Sequence, residues 1–374
     1  MSAKNGLAHL FRKRAQIVSC CATLALALSG SVFLPAAASA ETSTYIATGD
    51  SITFGFTQEK FNVNSPNEPP SFFEEGFDHF FNRDLNGAKE VGKTVVDVNT
   101  ACPGETSNGY IGESTAIGGE ASTEETSPPA EFQGPGDWHP CAYHQVDGFP
   151  LHFSLGSHSQ LEEVLSILKE GKPAHPVRAI TVQIGGADQL ATATKCREEV
   201  TDEFEEKGES QYGKEPGEAV PNCIEAALIH VTVPHIAKNL EDILSVIDST
   251  SPGGGHYTGA IVVLGAYNPY SFVLPSSDIL QIFINNTIEK EVLPHFANAT
   301  FANPFPVFNR GHGTKNEATV EQEAICKYTE MCNPKVQEFP FEPAGKDGDV
   351  SPSLAGYKAL AGLVNEAWLA NPAK

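Results

Sequence analysis

Tyr45-Ile46-Ala47-Thr48-Gly49-Asp50-Ser51-Ile52-Thr53-Phe54-Gly55 is the stretch on which the reading of this chain turns. A short apolar run halts at Gly49-Asp50-Ser51 and then turns helical, which puts the Ser51 hydroxyl at the end of a strand and the start of a helix. Backbone N–H groups and the helix dipole favour negative charge at such a place. A nucleophilic serine belongs there. Gly-Asp-Ser equally suits a turn followed by a helix cap, so the tripeptide decides nothing unless other segments agree.

Working outward, Ser71 is placed to cap a helix carrying Phe73, Phe77, Phe80 and Phe81, and Val95, Val96 and Val98 form a second strand that ends before Cys102-Pro103-Gly104. Residues 106–140 are rich in Gly, Ser, Thr, Glu and Pro and read as a long surface excursion, bounded near 106–150. A helix from Ser159 puts Leu161, Val164, Leu165 and Leu168 on one face. A third strand, Val177 to Ile184, stops at Gly185-Gly186-Ala187-Asp188, and a second charged excursion spans 196–223. Next come a helix with Ile236, Leu240, Ile243, Leu244 and Ile247, and a fourth strand, Ala260 to Leu264, before Tyr267-Asn268. A helix over Ile279 to Val292 leads to a fifth, proline-interrupted strand, Phe301 to Phe308, followed by Gly311-His312-Gly313. The last helix, Ser353 to Ala370, turns Leu354, Tyr357, Leu360, Val364 and Trp368 inward.

Strands alternating with helices imply a parallel sheet between two helical layers, a three-layer α/β/α sandwich with five central strands. Ligands bind such sheets beyond the carboxyl ends of the strands. Ser51, Gly104, Gly185 to Asp188, Tyr267-Asn268 and His312 all follow strands, so the topology collects them on one edge.

The N-terminus carries Lys4, Arg12, Lys13 and Arg14, then an apolar run from Ile17 to Leu34 and the small-residue exit Ala38-Ser39-Ala40. That is the layout of a secretory signal over residues 1–40, leaving one domain over 41–374 and a secreted protein with no stable membrane anchor. Its removal takes four basic and no acidic side chains, so the formal charge of −23 becomes −27. So acidic a chain is unsuited to nucleic acid, whose phosphates are held by Lys and Arg. Six cysteines then remain: Cys102, Cys141, Cys196, Cys223, Cys326 and Cys332. An even set in an exported protein reads as disulfides, and sequential pairing is the simplest of fifteen connectivities. Metal binding is the alternative, but no pair has Cys-x-x-Cys spacing, so no metal is assigned.

With these segments in view the chain resembles the SGNH, or GDSL-type, hydrolases, whose fold is flavodoxin-like, and within them the secreted actinobacterial lipases and esterases with three sequential disulfides. Gly49-Asp50-Ser51 with Gly55 is similar to the first family block, and Ala101-Cys102-Pro103-Gly104-Glu105-Thr106 to the second. Ser157 to Leu168 and Ser351 to Ala361 also resemble that branch. The resemblance implies hydrolysis of a small-molecule, lipid or glycan ester without a cofactor, with Ser51 as nucleophile and the N–H groups of Ser51 and Gly104 as oxyanion donors.

Two positions depart from the family pattern. The block Gly-x-Asn-Asp reads Gly185-Gly186-Ala187-Asp188, so Ala187 stands where the family has its third oxyanion donor, and Ser351 stands where it has its histidine. The family aspartate falls on Gly348, between Asp347 and Asp349. Loss of one oxyanion donor costs about 10² to 10³ in rate. Loss of the base costs about 10⁶ in a serine protease, and a neutral hydroxyl such as that of Ser351 has no basicity near neutrality. His312, between two glycines on the right edge, is the candidate substitute base, set against a plain exposed loop histidine; His139 and His144, flanking Cys141, are further candidates. Two readings follow: an esterase with an unorthodox base, or a pseudo-hydrolase that binds an acyl or carbohydrate ligand.

Overall fold

The computed structural model describes residues 41–60, 69–87, 93–112, 141, 144, 149–154, 159–170, 175–271, 277–313, 317–333 and 349–373. The proposed signal segment, most of the first excursion, His139, Asp347 and Gly348 lie outside the described residues. Five strands form one parallel sheet: β1 (Glu41–Gly49), β2 (Lys93–Asn99), β3 (Val177–Gln183), β4 (Ala260–Leu264) and β5 (Ala299–Ala302), in the order β2-β1-β3-β4-β5. This is the flavodoxin-like order, in which the direction of winding reverses between β1 and β3.

Both faces of the sheet are covered, which is why its strands read as nearly continuous apolar runs. Tyr45, Ala47, Val95, Ala179 and Val262 pack on one side with Phe77, Phe80 and Phe81 of α2 (Phe77–Gly87) and Tyr357, Leu360, Val364 and Trp368 of α11 (Leu354–Ala370). Ile46, Ile180, Val182, Ile261 and Val263 pack on the other with α4 (Gln160–Glu170), α7 (Val233–Asp248) and α8 (Asp278–Thr287). Neighbours along each strand point to opposite faces, so this alternation makes the three-layer α/β/α sandwich expected from the pattern. Ser159 and Glu162 exchange hydrogen bonds at the start of α4, Ser159 N–H to Glu162 Oε2 at 2.9 Å and Glu162 N–H to Ser159 Oγ at 3.2 Å, which fixes where that helix begins.

Three disulfides, Cys102–Cys141, Cys196–Cys223 and Cys326–Cys332, have the sequential pairing. Several boundaries differ from the expectation. Ser71 lies within a 3-10 turn (Pro70–Phe73), and Gly76 separates that turn from α2, so Ser71 caps nothing there. The fifth strand stops at Ala302, because Pro304 and Pro306 cannot donate to a ladder, and the chain turns into α9 (Phe305–Phe308). The stretch between Cys196 and Cys223 is helical, in α5 (Gly186–Lys207) and α6 (Pro216–Ala227), which the second disulfide joins. Leu354, expected inside, is 45% exposed at the first position of α11. A short antiparallel pair, β6 (Thr329–Glu330) and β7 (Asp349–Pro352), follows α10 (Glu317–Tyr328).

Candidate active site

At the winding reversal, Gly49 ends β1 with φ +140°, and a Cβ there would sit 1.8 Å from the carbonyl oxygen of Gln183. Only glycine lets the strands meet so closely. The neighbouring strand ends are then pinned together: Asp50 N–H donates to Gln183 O at 3.1 Å, and Cys102 N–H to Gly49 O at 3.0 Å. Asp50 caps the four-residue helix α1 (Ser51–Phe54), its Oδ1 accepting from Ile52 N–H at 3.0 Å. Its Oδ2 accepts from Gln183 Nε2 at 3.1 Å.

Ser51 therefore opens α1 at the switch point, half-buried. Its hydroxyl has no hydrogen-bond partner among the described residues. Neither the Ser51 N–H nor the Gly104 N–H donates to an acceptor among them. Gly104 has φ +75° in the turn after β2, next to β1 in the sheet, and the Cys102–Cys141 disulfide holds that turn. Ala187 lies in the first turn of α5, after β3 on the other side of β1, and its methyl group offers no hydrogen-bond donor. The next residue, Asp188, accepts from Ser107 N–H at 2.9 Å and from Ser107 Oγ–H at 2.7 Å.

Ser351 lies in β7, which packs against α1. It is nearly buried, and its N–H donates to Asp349 Oδ1 at 2.8 Å, while the other Asp349 oxygen accepts from Gln58 N–H at 2.5 Å. Burial raises the Asp349 carboxyl above its ordinary value, against those hydrogen bonds. Tyr267, after β4, donates its hydroxyl to Val350 O at 2.6 Å and ties the same strand to the sheet edge.

His312 follows β5, three strands from β1, a lateral offset of about 14 Å at the usual strand spacing. Its Nδ1 lies 2.9 Å from Asp278 Oδ2 and 3.8 Å from Glu321 Oε1. No hydrogen bond joins it to Ser51. His144 Nδ1 contacts Phe149 O at 2.5 Å.

Residues that the motifs did not single out complete the site. Gln160 Oε1 accepts from Gly49 N–H at 2.8 Å and Thr48 Oγ1–H at 2.7 Å, and its Nε2 donates to Gly49 O at 3.0 Å, so α4 holds the strand end beside Ser51. His152 lies against the Phe54 ring, with Nε2 3.2 Å from Phe54 O and its pKa lowered by burial. Beneath the site three buried acids share one electrostatic neighbourhood. Burial pushes Asp50 up to about 7 and Glu105 up to about 8, and it raises Asp188 as well. Among the described residues two groups of side chains have the donors and spacing for a metal: Cys102, Glu105 and Cys141, whose sulfurs are spent in the disulfide, and Asp278, His312 and Glu321.

The sequence matches no family model and no curated protein. Among solved structures it is similar to a Corynascus thermopiles (Myceliophthora fergusii) carbohydrate esterase family 2 enzyme with a carbohydrate binding domain, at 10% identity and TM-score 0.37, over 88% of this chain and 66% of that one. A second crystal structure is similar at 10% identity and TM-score 0.39, over 87% of this chain and 96% of that one. Likenesses this distant carry no inference about chemistry.

Proposed function

We propose that the chain is a secreted, SGNH-type serine hydrolase acting on carboxylic esters through Ser51. The observation that carries this reading is the pairing, at the switch point, of a serine hydroxyl with two N–H groups, of Ser51 and Gly104, that have no acceptor among the described residues. Ser51 would attack the acyl carbonyl, and the two N–H groups would donate to the oxyanion. Three disulfides fit an oxidising compartment, and no helix among the described residues is long and apolar enough to cross a membrane.

In this reading the base is His312. Its imidazole is oriented by a carboxylate, as a general base requires, and no hydrogen bond joins it to Ser51 in this structure. The Ser51 hydroxyl without a hydrogen-bond partner among the described residues, together with Ala187 and Ser351, favours a second reading: an impaired hydrolase that holds an acyl or carbohydrate ligand. Labelling with a fluorophosphonate, beside hydrolysis of p-nitrophenyl esters, separates the two. Labelling and turnover lost in both Ser51→Ala and His312→Ala support the hydrolase with a relocated base. A wild-type rate equal to that of Ser51→Ala refutes turnover and leaves the binding protein.

A further inference from the structure

We propose that Asp278, His312 and Glu321 form a binding site for a divalent transition-metal ion, with Zn²⁺ as the best match. The three side chains come from three segments: the first residue of α8, the loop after α9, and α10. Their ligand atoms all lie within 4.8 Å of one another. The side chains of Asp278 and Glu321 have no solvent exposure, and that of His312 is 40% exposed.

The geometry at the imidazole is the main argument. One ring nitrogen, Nδ1, faces both carboxylates, at 2.9 Å and 3.8 Å. It carries at most one proton, and its 3.8 Å separation from Glu321 is too long for a hydrogen bond. A tetrahedral zinc ion with bonds of about 2.0 to 2.1 Å separates its ligand atoms by about 3.3 Å, between the two observed distances. A cation seated among the three would be bound by both carboxylates and the ring nitrogen together. Two carboxylates also match the charge of a divalent ion.

The donor set narrows the metal. Calcium and magnesium take oxygen ligands, whereas imidazole with carboxylates suits zinc and its first-row neighbours. Asp278 is held from behind, its Oδ1 accepting from Asn268 Nδ2 at 2.6 Å. The Phe305 ring meets the imidazole edge-on at 5.6 Å. Such outer contacts orient ligands in metal sites. The exposed side of the ring leaves an entry path and room for water as a fourth ligand. A bound ion would clamp α8, α10 and the His312 loop together at the β4–β5 end of the sheet. The ligand set excludes Ser51 but shares His312 with the relocated base, so a bound ion replaces the Asp278 contact that would orient the imidazole for catalysis. Zinc binding is read without any ester substrate, so its failure is distinguishable from failure of the hydrolase reading.

The test is calorimetric titration of the untagged chain, freed of metal by chelator, with Zn²⁺ alone. One saturable equivalent is expected, with affinity weakened more than about tenfold in both His312→Ala and Glu321→Gln. His312 is partly exposed, so its variant should keep the metal-free melting profile even if Glu321→Gln does not fold. A Co²⁺ absorption band of tetrahedral type, lost in His312→Ala, would identify the ligand sphere. No saturable binding by the wild type, or an affinity unchanged in His312→Ala, overturns the proposal.

Discussion

Glu105 follows the glycine whose N–H is proposed as an oxyanion donor; the residue is 2% exposed, with Oε2 accepting from Cys141 N–H at 2.9 Å. Burial, opposed by that hydrogen bond and reinforced by Asp188 and Asp50, raises its pKa from 4.5 to about 8. Between these values the unfolded chain has lost a proton that the folded chain keeps, so stability falls as pH rises. The contribution is complete below 4.5 and gone above about 8. At about 1.4 kcal/mol per unit, the loss between about pH 5 and pH 8 is roughly 3 to 4 kcal/mol. Glu105→Gln keeps a carbonyl oxygen for Cys141 N–H and has nothing to ionise. Urea unfolding across this range should therefore give a flatter profile for the variant, which becomes the more stable protein at the alkaline end. The surface charge is common to both proteins and cancels in the difference between the profiles, whereas Asp50 and Asp188 interact with Glu105 and their response is part of that difference. Parallel profiles would refute a neutral, buried Glu105.

Two further predictions concern the strand end and the degenerate positions. Gly49→Ala should cost more than about 3 kcal/mol in thermal unfolding, because its Cβ meets the Gln183 carbonyl at 1.8 Å in a left-handed conformation; Gly87→Ala, which meets nothing within 4 Å, should change little and serves as control. Ala187→Asn combined with Ser351→His should raise ester hydrolysis beyond the product of the single effects, because base and oxyanion donor act in one transition state and Asp349 lies ready to orient an imidazole at position 351; a double variant with the wild-type rate would show that Ser51 is not the reacting group.

The fifth strand, Ala299–Ala302, was blurred by the prolines that turn the chain into α9, but the first four were legible as short apolar runs, three of them halted at or shortly before Gly49, Gly185 and Gly265, and parallel pairing sends all such ends to one side. Elements that depend on tertiary contact were not. Gln160 reads as a solvent-facing polar residue on an amphipathic helix, yet it is buried and bonds both backbone groups of Gly49. The β6–β7 pair is too short to have a period, and α10 has little amphipathic pattern, since its Glu321 is buried by partners elsewhere in the chain. Lateral position is the deeper gap. Ser51 and His312 both follow strands, so a sequence reading treats them as neighbours, but the order β2-β1-β3-β4-β5 sets the strands they follow three spacings apart. The same order puts Gly104 and Ala187 on the strands flanking Ser51. The residues proposed for ester chemistry therefore follow β1 or the strands beside it. His312 instead lies beside two buried carboxylates, after β5 at the edge of the sheet opposite β2.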